Sequence, residues 1–269
     1  MRMDVAAVAA SAARAELGWR DADGHLHATT FIPLVIGHAV VAALPFSRTT
    51  TARRLDGAVA ATLVFSDSRM AWKGWSPCAA PVRVVVTADR RGEWTWTGAL
   101  DQEVRKHPPS RLLIDTAIQR REHWWYVPRW IVRFEPIGAP VAVARRAGPD
   151  DGALFVDTSD RLTVDAVAVD DWEADEVRVL PLAAPHAERS DGTALLFGHD
   201  FSIPDQERSS HLALHGDLDG RVLTVRRREG TLALPEPRLL HRLRAHYRLE
   251  RACRRALTAH DPSPSAAAT

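Results

Sequence analysis

The stretch that follows the apolar run 39–44 is dense in groups that grip anions: Ser47, Arg48, Thr49, Thr50, Thr51, Arg53 and Arg54. Hydroxyls and the free N–H groups of a starting helix donate to phosphate oxygens. Arginine adds a planar, bidentate donor. The chemistry this pattern implies is phosphate binding, and a capped surface helix with solvated arginines is the competing reading. A second group, Trp72, Lys73 and Trp75, lies in the loop 67–79. Indoles stack on a flat ring and the lysine serves a phosphate or a ring carbonyl, while aromatic core packing is the alternative. A third, Glu122-His123-Trp124-Trp125-Tyr126-Val127-Pro128-Arg129-Trp130, is an aromatic cluster expected at the junction between two halves of the chain or between subunits, with a ligand pocket as the alternative.

Twelve histidines raise the question of metals. His25 and His27 alternate on one strand face, and His241 and His246 share the terminal helix, without H-E-x-x-H or C-x-x-C company. A tetrahedral thiolate and imidazole set is missing, so no metal ligands are assigned. His199, Asp200 and Ser202 are close in sequence, which does not make a triad. Nucleophile elbow, Walker loop and dinucleotide glycine fingerprint are all missing, and no residue declares itself an acid, base or nucleophile. The catalytic residues are therefore unknown at this level.

The elements that must position these groups are mostly strands. Residues 3–17 read as a helix. An alternating run from His25 to Ile36, the turn Gly37-His38 and the run 39–44 make a hairpin. A polar helix start at 47–56 follows, then strands at 58–66 and 81–87, a helix over 103–121 broken at Pro108-Pro109, and a strand at 131–134. Residues 136–152, rich in proline and glycine, read as a linker. Strands resume at 162–169, 176–182, 193–198, 211–215 and 221–227, with Leu218-Asp219-Gly220 as a hairpin turn. A basic helix spans roughly 236–258. Its apolar positions Leu239, Leu240, Leu243, Tyr247, Cys253, Ala256 and Leu257 dock it on the body. The run HATTFIPL (27–34) echoes DEVRVLPL (175–182), and HAVVAAL (38–44) echoes TALLFGH (193–199).

This order of elements over residues 19–135, with a fainter echo in 160–228, resembles the FMN-binding split barrel of the pyridoxamine 5′-phosphate oxidase-like family. The expected fold is α+β and mainly β: antiparallel split barrels, two related halves in one chain as a tandem version, with flanking helices. The expected division is 1–135 for the first half with its N-terminal helix, 136–152 for the linker, 153–260 for the second half with the basic helix, and 261–269 for a disordered tail. The resemblance implies an FMN phosphate held by the run 45–55, with the ring toward the Trp72–Trp75 loop and the opposite wall supplied by the second half or a second chain. It implies a flavoprotein, an FMN-dependent oxidoreductase of that class. Some relatives bind haem, and a cofactor-free binding or interaction module is the alternative. The chain departs from the family where Arg54-Leu55 replaces an Asn-Leu pair and the basic position falls on Thr51.

Composition sets outer limits. With 35 basic and 34 acidic residues, whole-protein attraction to nucleic acid or to a membrane surface is not expected. The basic residues are nearly all arginine, as in GC-rich bacterial genomes. Cys78 and Cys253 stand far apart and fit reduced thiols in a cytoplasm. The partners implied are a small-molecule cofactor or substrate and either a homodimer or an intrachain pseudo-dimer.

Overall fold

The computed structural model describes residues 3–158, 161–183, 191–236 and 239–260. The tail expected over 261–269 lies outside the described residues. Asp4 accepts the N–H of Ala6 at 3.0 Å and starts helix α1 (Val5–Ser11). The helix expected to reach residue 17 stops there, because Ala12 is extended and strand β1 (Ala15–Arg20) begins three residues later. Leu17 and Trp19 point one way and Glu16 and Gly18 the other, a period-two pattern that the alanine run before it disguises.

The chain continues through β2 (Leu26–Phe31), β3 (Leu34–Ile36), β4 (Ala39–Pro45), a 3₁₀ turn at Phe46–Arg48, α2 (Thr49–Asp56), β5 (Ala60–Phe65) and β6 (Cys78–Asp89). A helical insert of α3 (Ala99–Lys106), α4 (Arg111–Ile114) and α5 (Ala117–Glu122) separates β6 from β7 (Arg129–Pro136). The stretch expected to be a linker carries β8 (Val141–Ala142), which pairs with β6, and the start of β9 (Asp151–Asp157). Then come β10 (Leu162–Val169), β11 (Glu176–Pro181), β12 (Gly192–Phe201), β13 (Ser209–Asp219), β14 (Val222–Thr231) and α6 (Leu239–Ala259).

The architecture is mainly antiparallel β with flanking helices. The first sheet runs β2-β1-β5-β6-β7-β4-β3, and the second forms a closed barrel, β10-β11-β14-β13-β12-β9. The end strands of the first sheet, β2 and β3, are consecutive in the chain and separated only by Ile32 and Pro33, so that sheet curls toward closure without completing it. Exchanging β1, β2, β4, β5, β6 and β7 for β9, β10, β11, β12, β13 and β14 converts the order β2-β1-β5-β6-β7-β4 into β10-β9-β12-β13-β14-β11. The sequence echo noted above is therefore out of step by one strand: β2 corresponds to β10 and β4 to β11, not β2 to β11 and β4 to β12.

Each sheet encloses its own core. Leu17, Trp19, Leu63, Phe65, Val132 and Phe134 fill the first. Leu154, Val156, Val177, Leu196, Leu214 and Leu223 fill the second. Helix α6 returns to the first half, where Cys253 and Leu257 are buried. The helix also presents Leu243 and Tyr247 outward, 61% and 62% exposed. The aromatic cluster lies under this helix, which the expected division assigns to the second half. Trp125 meets His246 edge-on at 5.6 Å, Tyr126 is buried, and Trp124 is half exposed beside Arg254.

Candidate functional site

The outward faces of β1 and β5 build the contact between the two barrels. On β1, Glu16, Gly18 and Arg20 all face the second barrel. Gly18 lies under the ring of Phe155, where a Cβ would come within 2.3 Å, and Arg20 pairs with Asp157 at 2.7 Å. On β5, Thr62 donates to the Leu162 carbonyl at 2.7 Å, and Val64 joins Leu26, Phe155, Leu195 and Phe197 in a shared apolar seam. These strands are buried on both faces, which explains why they read as continuous apolar runs.

Beside the seam lies a network of charges removed from water. Ser66 donates to Glu16 Oε2 at 2.9 Å and accepts from Arg146 Nε at 2.8 Å. Arg146 also pairs with the Glu16 carboxylate and donates to the Asp151 carbonyl at 3.0 Å. His199 Nε2 sits 3.0 Å from Glu16 Oε1 and 3.2 Å from Arg146 Nη2. Burial, reinforced by Arg146, Arg69 and Arg14, pushes the His199 pKa well below its ordinary value, so the ring is neutral. Arg69 clamps both sides of the junction. It donates to Asp67 Oδ2 at 2.8 Å and to Asp200 Oδ1 at 2.6 Å, and lies over the Phe201 ring at 4.3 Å. Arg14 donates to Gln206 at 2.9 Å, and burial brings its pKa down to about 10.

The phosphate-gripping segment predicted from sequence sits at the end of β4. Thr49 is committed internally: its hydroxyl donates to the Phe46 carbonyl at 2.6 Å and accepts from Trp130 Nε1 at 3.1 Å. Phe46 stacks on Trp130 with centroids 4.9 Å apart, and His260 covers both rings. Ala52 and Leu55 turn inward, while Thr50, Arg53 and Arg54 are exposed and Ser47 and Thr51 are half-buried. Helix α2 has no side-chain cap, because the 3₁₀ turn runs straight into it. Arg48 makes no hydrogen bond or ion pair among the described residues. Its charge contributes, after burial, to lowering the pKa of both Arg14 and His211, so it lies within electrostatic reach of the junction.

The aromatic loop is held by other partners. Trp72 donates its N–H to the Ser11 carbonyl at 2.8 Å and packs beneath Arg105. Lys73 is exposed, and Trp75 is buried with Arg145 over its face at 5.3 Å. Helix α2 packs on β6 and β7, so the two predicted parts of one site rest on different neighbours. His27 is used structurally, bonding Asp21 at 2.8 Å and stacking on Trp19, and Ser202 is bound to Asp205. The junction residues Arg14, Glu16, Asp67, Arg69 and Arg146 escaped sequence reasoning. The available signal was charge at the ends of doubly apolar strands, as in Phe65-Ser66-Asp67-Ser68-Arg69.

No family model matches the chain, and no curated protein matches it. Among solved structures, the chain is similar to HutZ, the haem storage protein of Vibrio cholerae, at 12% identity over 53% of this chain and 95% of that one, with a TM-score of 0.36. It is similar to a haem-binding protein of Mycobacterium smegmatis at 12% identity over 95% and 96% of the two chains, TM-score 0.32. It is similar to the Bacillus subtilis inhibitor of motility MotI/DgrA at 9% identity over 93% and 98%, TM-score 0.24. With scores this low, the fold assignment rests on the strand order. No described helix is long and apolar enough to cross a membrane.

Proposed function

We propose that this chain is a ligand-binding module made of two fused barrels, and not a catalyst. The observation that carries this reading is the junction. Its candidate acids and bases, Glu16, Asp67 and His199, are buried against Arg146 and Arg69. A general acid or base must reach a proton on a substrate, and these groups are spent holding the barrels together. The matched strand orders support a tandem duplication, with the second barrel standing where a partner subunit's would in a homodimer. Cytoplasmic residence fits the two unpaired, buried thiols, and burial raises the pKa of Cys78 to about 11.

A second reading keeps the flavin, and Arg48 favours it. An unpaired guanidinium within electrostatic reach of Arg14 and His211 is suited to an FMN phosphate, with Ser47 and Thr51 nearby in sequence. FMN would then supply the redox chemistry and the chain its orientation. Visible absorption of the purified protein, followed by FMN titration of wild type, Arg48→Ala and Arg53→Ala, separates the readings. The binding module is colourless and shows no stoichiometric uptake of FMN. A yellow protein whose FMN affinity drops in Arg48→Ala establishes the flavin site, and a red-brown one establishes haem.

A further inference from the structure

An arginine-rich hollow lies on the first half, away from the junction. It is a cavity of ≈ 480 Å³ bounded by the turn after β6, helix α5 and the end of α6. Its walls include Arg91, Arg120, Arg121, Trp96 and Trp124, with Leu257 among the apolar residues. Among the described residues no carboxylate lines it: Glu93 and Glu122, adjacent in sequence, are absent from the walls. Like charges gathered in one concavity focus a positive field that favours a negative ligand there.

The parts differ in how far they are already committed. Arg120 is fixed by bonds to the carbonyls of Ile114 and Asp115 at 2.9 and 3.0 Å. Arg254 lies over Trp124 at 5.2 Å and pairs with Glu250 at 2.7 Å, which holds that indole in place. Arg91 and Arg121 are exposed and have no ion pair or hydrogen bond among the described residues. Trp96 is 82% exposed. An indole so exposed gains nothing from the core; it offers a flat face beside free guanidinium groups.

We infer that this hollow binds a planar aromatic ring carrying a phosphate, of the size of a nucleoside monophosphate. The ring stacks on Trp96, and the phosphate takes bidentate bonds from Arg91 and Arg121. The volume falls within the ~300–1,000 Å³ range of small-molecule sites. A concave site with one stacking platform suits a single base better than a strand of nucleic acid, which needs a track of platforms. The inference rests on the reading of the chain as a binding module. It concerns a different surface from the Arg48 segment, so the two stand or fall separately.

Calorimetric titration of the full chain with AMP, GMP and UMP tests it, with adenosine and inorganic phosphate as half-ligands. At least one monophosphate binds with a Kd below ~1 mM, and each half-ligand is at least about tenfold weaker. Trp96→Ala and the double variant Arg91→Ala/Arg121→Ala lose about tenfold or more in affinity, while Arg48→Ala keeps it. Both changes are at exposed positions, so the unfolding midpoint of each variant should match wild type. The inference is overturned if no monophosphate binds, if inorganic phosphate binds as tightly as the nucleotide, or if Arg48→Ala loses binding that Arg91→Ala/Arg121→Ala retains. A single-stranded RNA oligomer binding ~100-fold tighter than any monophosphate also overturns it, in favour of nucleic acid.

Discussion

The two barrels share a strand order and solve the same closing problem differently. In the second, β10 and β11 pair directly and the sheet has no free edge. In the first, the chain bends at Pro33 and β3 is left with an open side. Helix α3 covers it with side chains. Gln102 accepts from the Val35 N–H at 2.9 Å and donates to the Val35 carbonyl at 2.8 Å, standing in for a strand. Lys106 is fully buried and donates to the carbonyls of Ala9 and Pro33, each at 2.6 Å. The connection after β6 brings this helix and, with it, the arginine-lined hollow. The equivalent connection in the second barrel is the tight turn Asp219-Gly220-Arg221 between β13 and β14. One barrel is open where the insert packs, and the other is closed and carries no insert at the matching turn.

That difference predicts that the junction, not either core, is where the chain is easiest to break. Arg146→Ala should have the largest effect. It leaves Glu16 buried beside a neutral His199, and removing one member of a buried pair costs about 3–5 kcal/mol. Replacing both, Glu16→Gln with Arg146→Met, should recover most of the loss in urea unfolding. If Arg146→Ala lowers stability by less than about 1 kcal/mol, the network is wet and the barrels are not locked by it.

Gly18→Ala sharpens the same comparison at smaller scale. The added methyl meets the Phe155 ring at 2.3 Å, too close for any real contact. Overpacking of this kind costs about 1–3 kcal/mol. Phe155→Leu made in the same chain should relieve it, a coupling read from a double-mutant cycle. Equal costs of Gly18→Ala with and without Phe155 would mean that the barrels shift apart to make room.

Much of the fold was legible because it follows from periodicity. Most strands and the Asp219-Gly220 turn are where alternation and turn residues put them. Strand β1 was not, because alanine is common in both helices and buried strands and the run before it has no punctuation. Strand β9, Asp-Gly-Ala-Leu-Phe-Val-Asp, was missed because it starts at the end of a stretch whose prolines and glycines dominate the reading. The site was less legible than the fold. Arg146 and Glu16 lie 130 residues apart, and they become neighbours because the Arg146 backbone bonds to Ser66 and Ser68 at the end of β5. The threonine-arginine segment was conspicuous for its composition, yet composition could not reveal that Trp130 already occupies Thr49. Nor could spacing show that Trp96 and Arg121, from two separate pieces of one insert, line one hollow.

The last expected effect is on pH dependence, and it reports on the three regions separately. His107 in the insert, His199 at the junction and His215 in the second barrel all have lowered pKa values, with burial the largest cause in each. Burial brings His107 down to about 3 and His215 to about 4. The unfolded chain protonates its histidines near ~6.5. Above that pH neither state binds the proton, and the neutral rings cost nothing. As pH falls below it, the unfolded state takes up protons that the folded state refuses, so stability declines by up to about 1.4 kcal/mol per histidine for each pH unit. Unfolding midpoints in urea should therefore hold between pH 7 and 8 and drop between pH 6.5 and 5. His107→Gln and His215→Gln should each flatten that slope by its own share, and His199→Gln should do so while keeping a donor toward Glu16. If His215→Gln flattens the slope and His107→Gln does not, acid opens the closed barrel first, and the insert is the firmer of the two regions despite its missing strand pair.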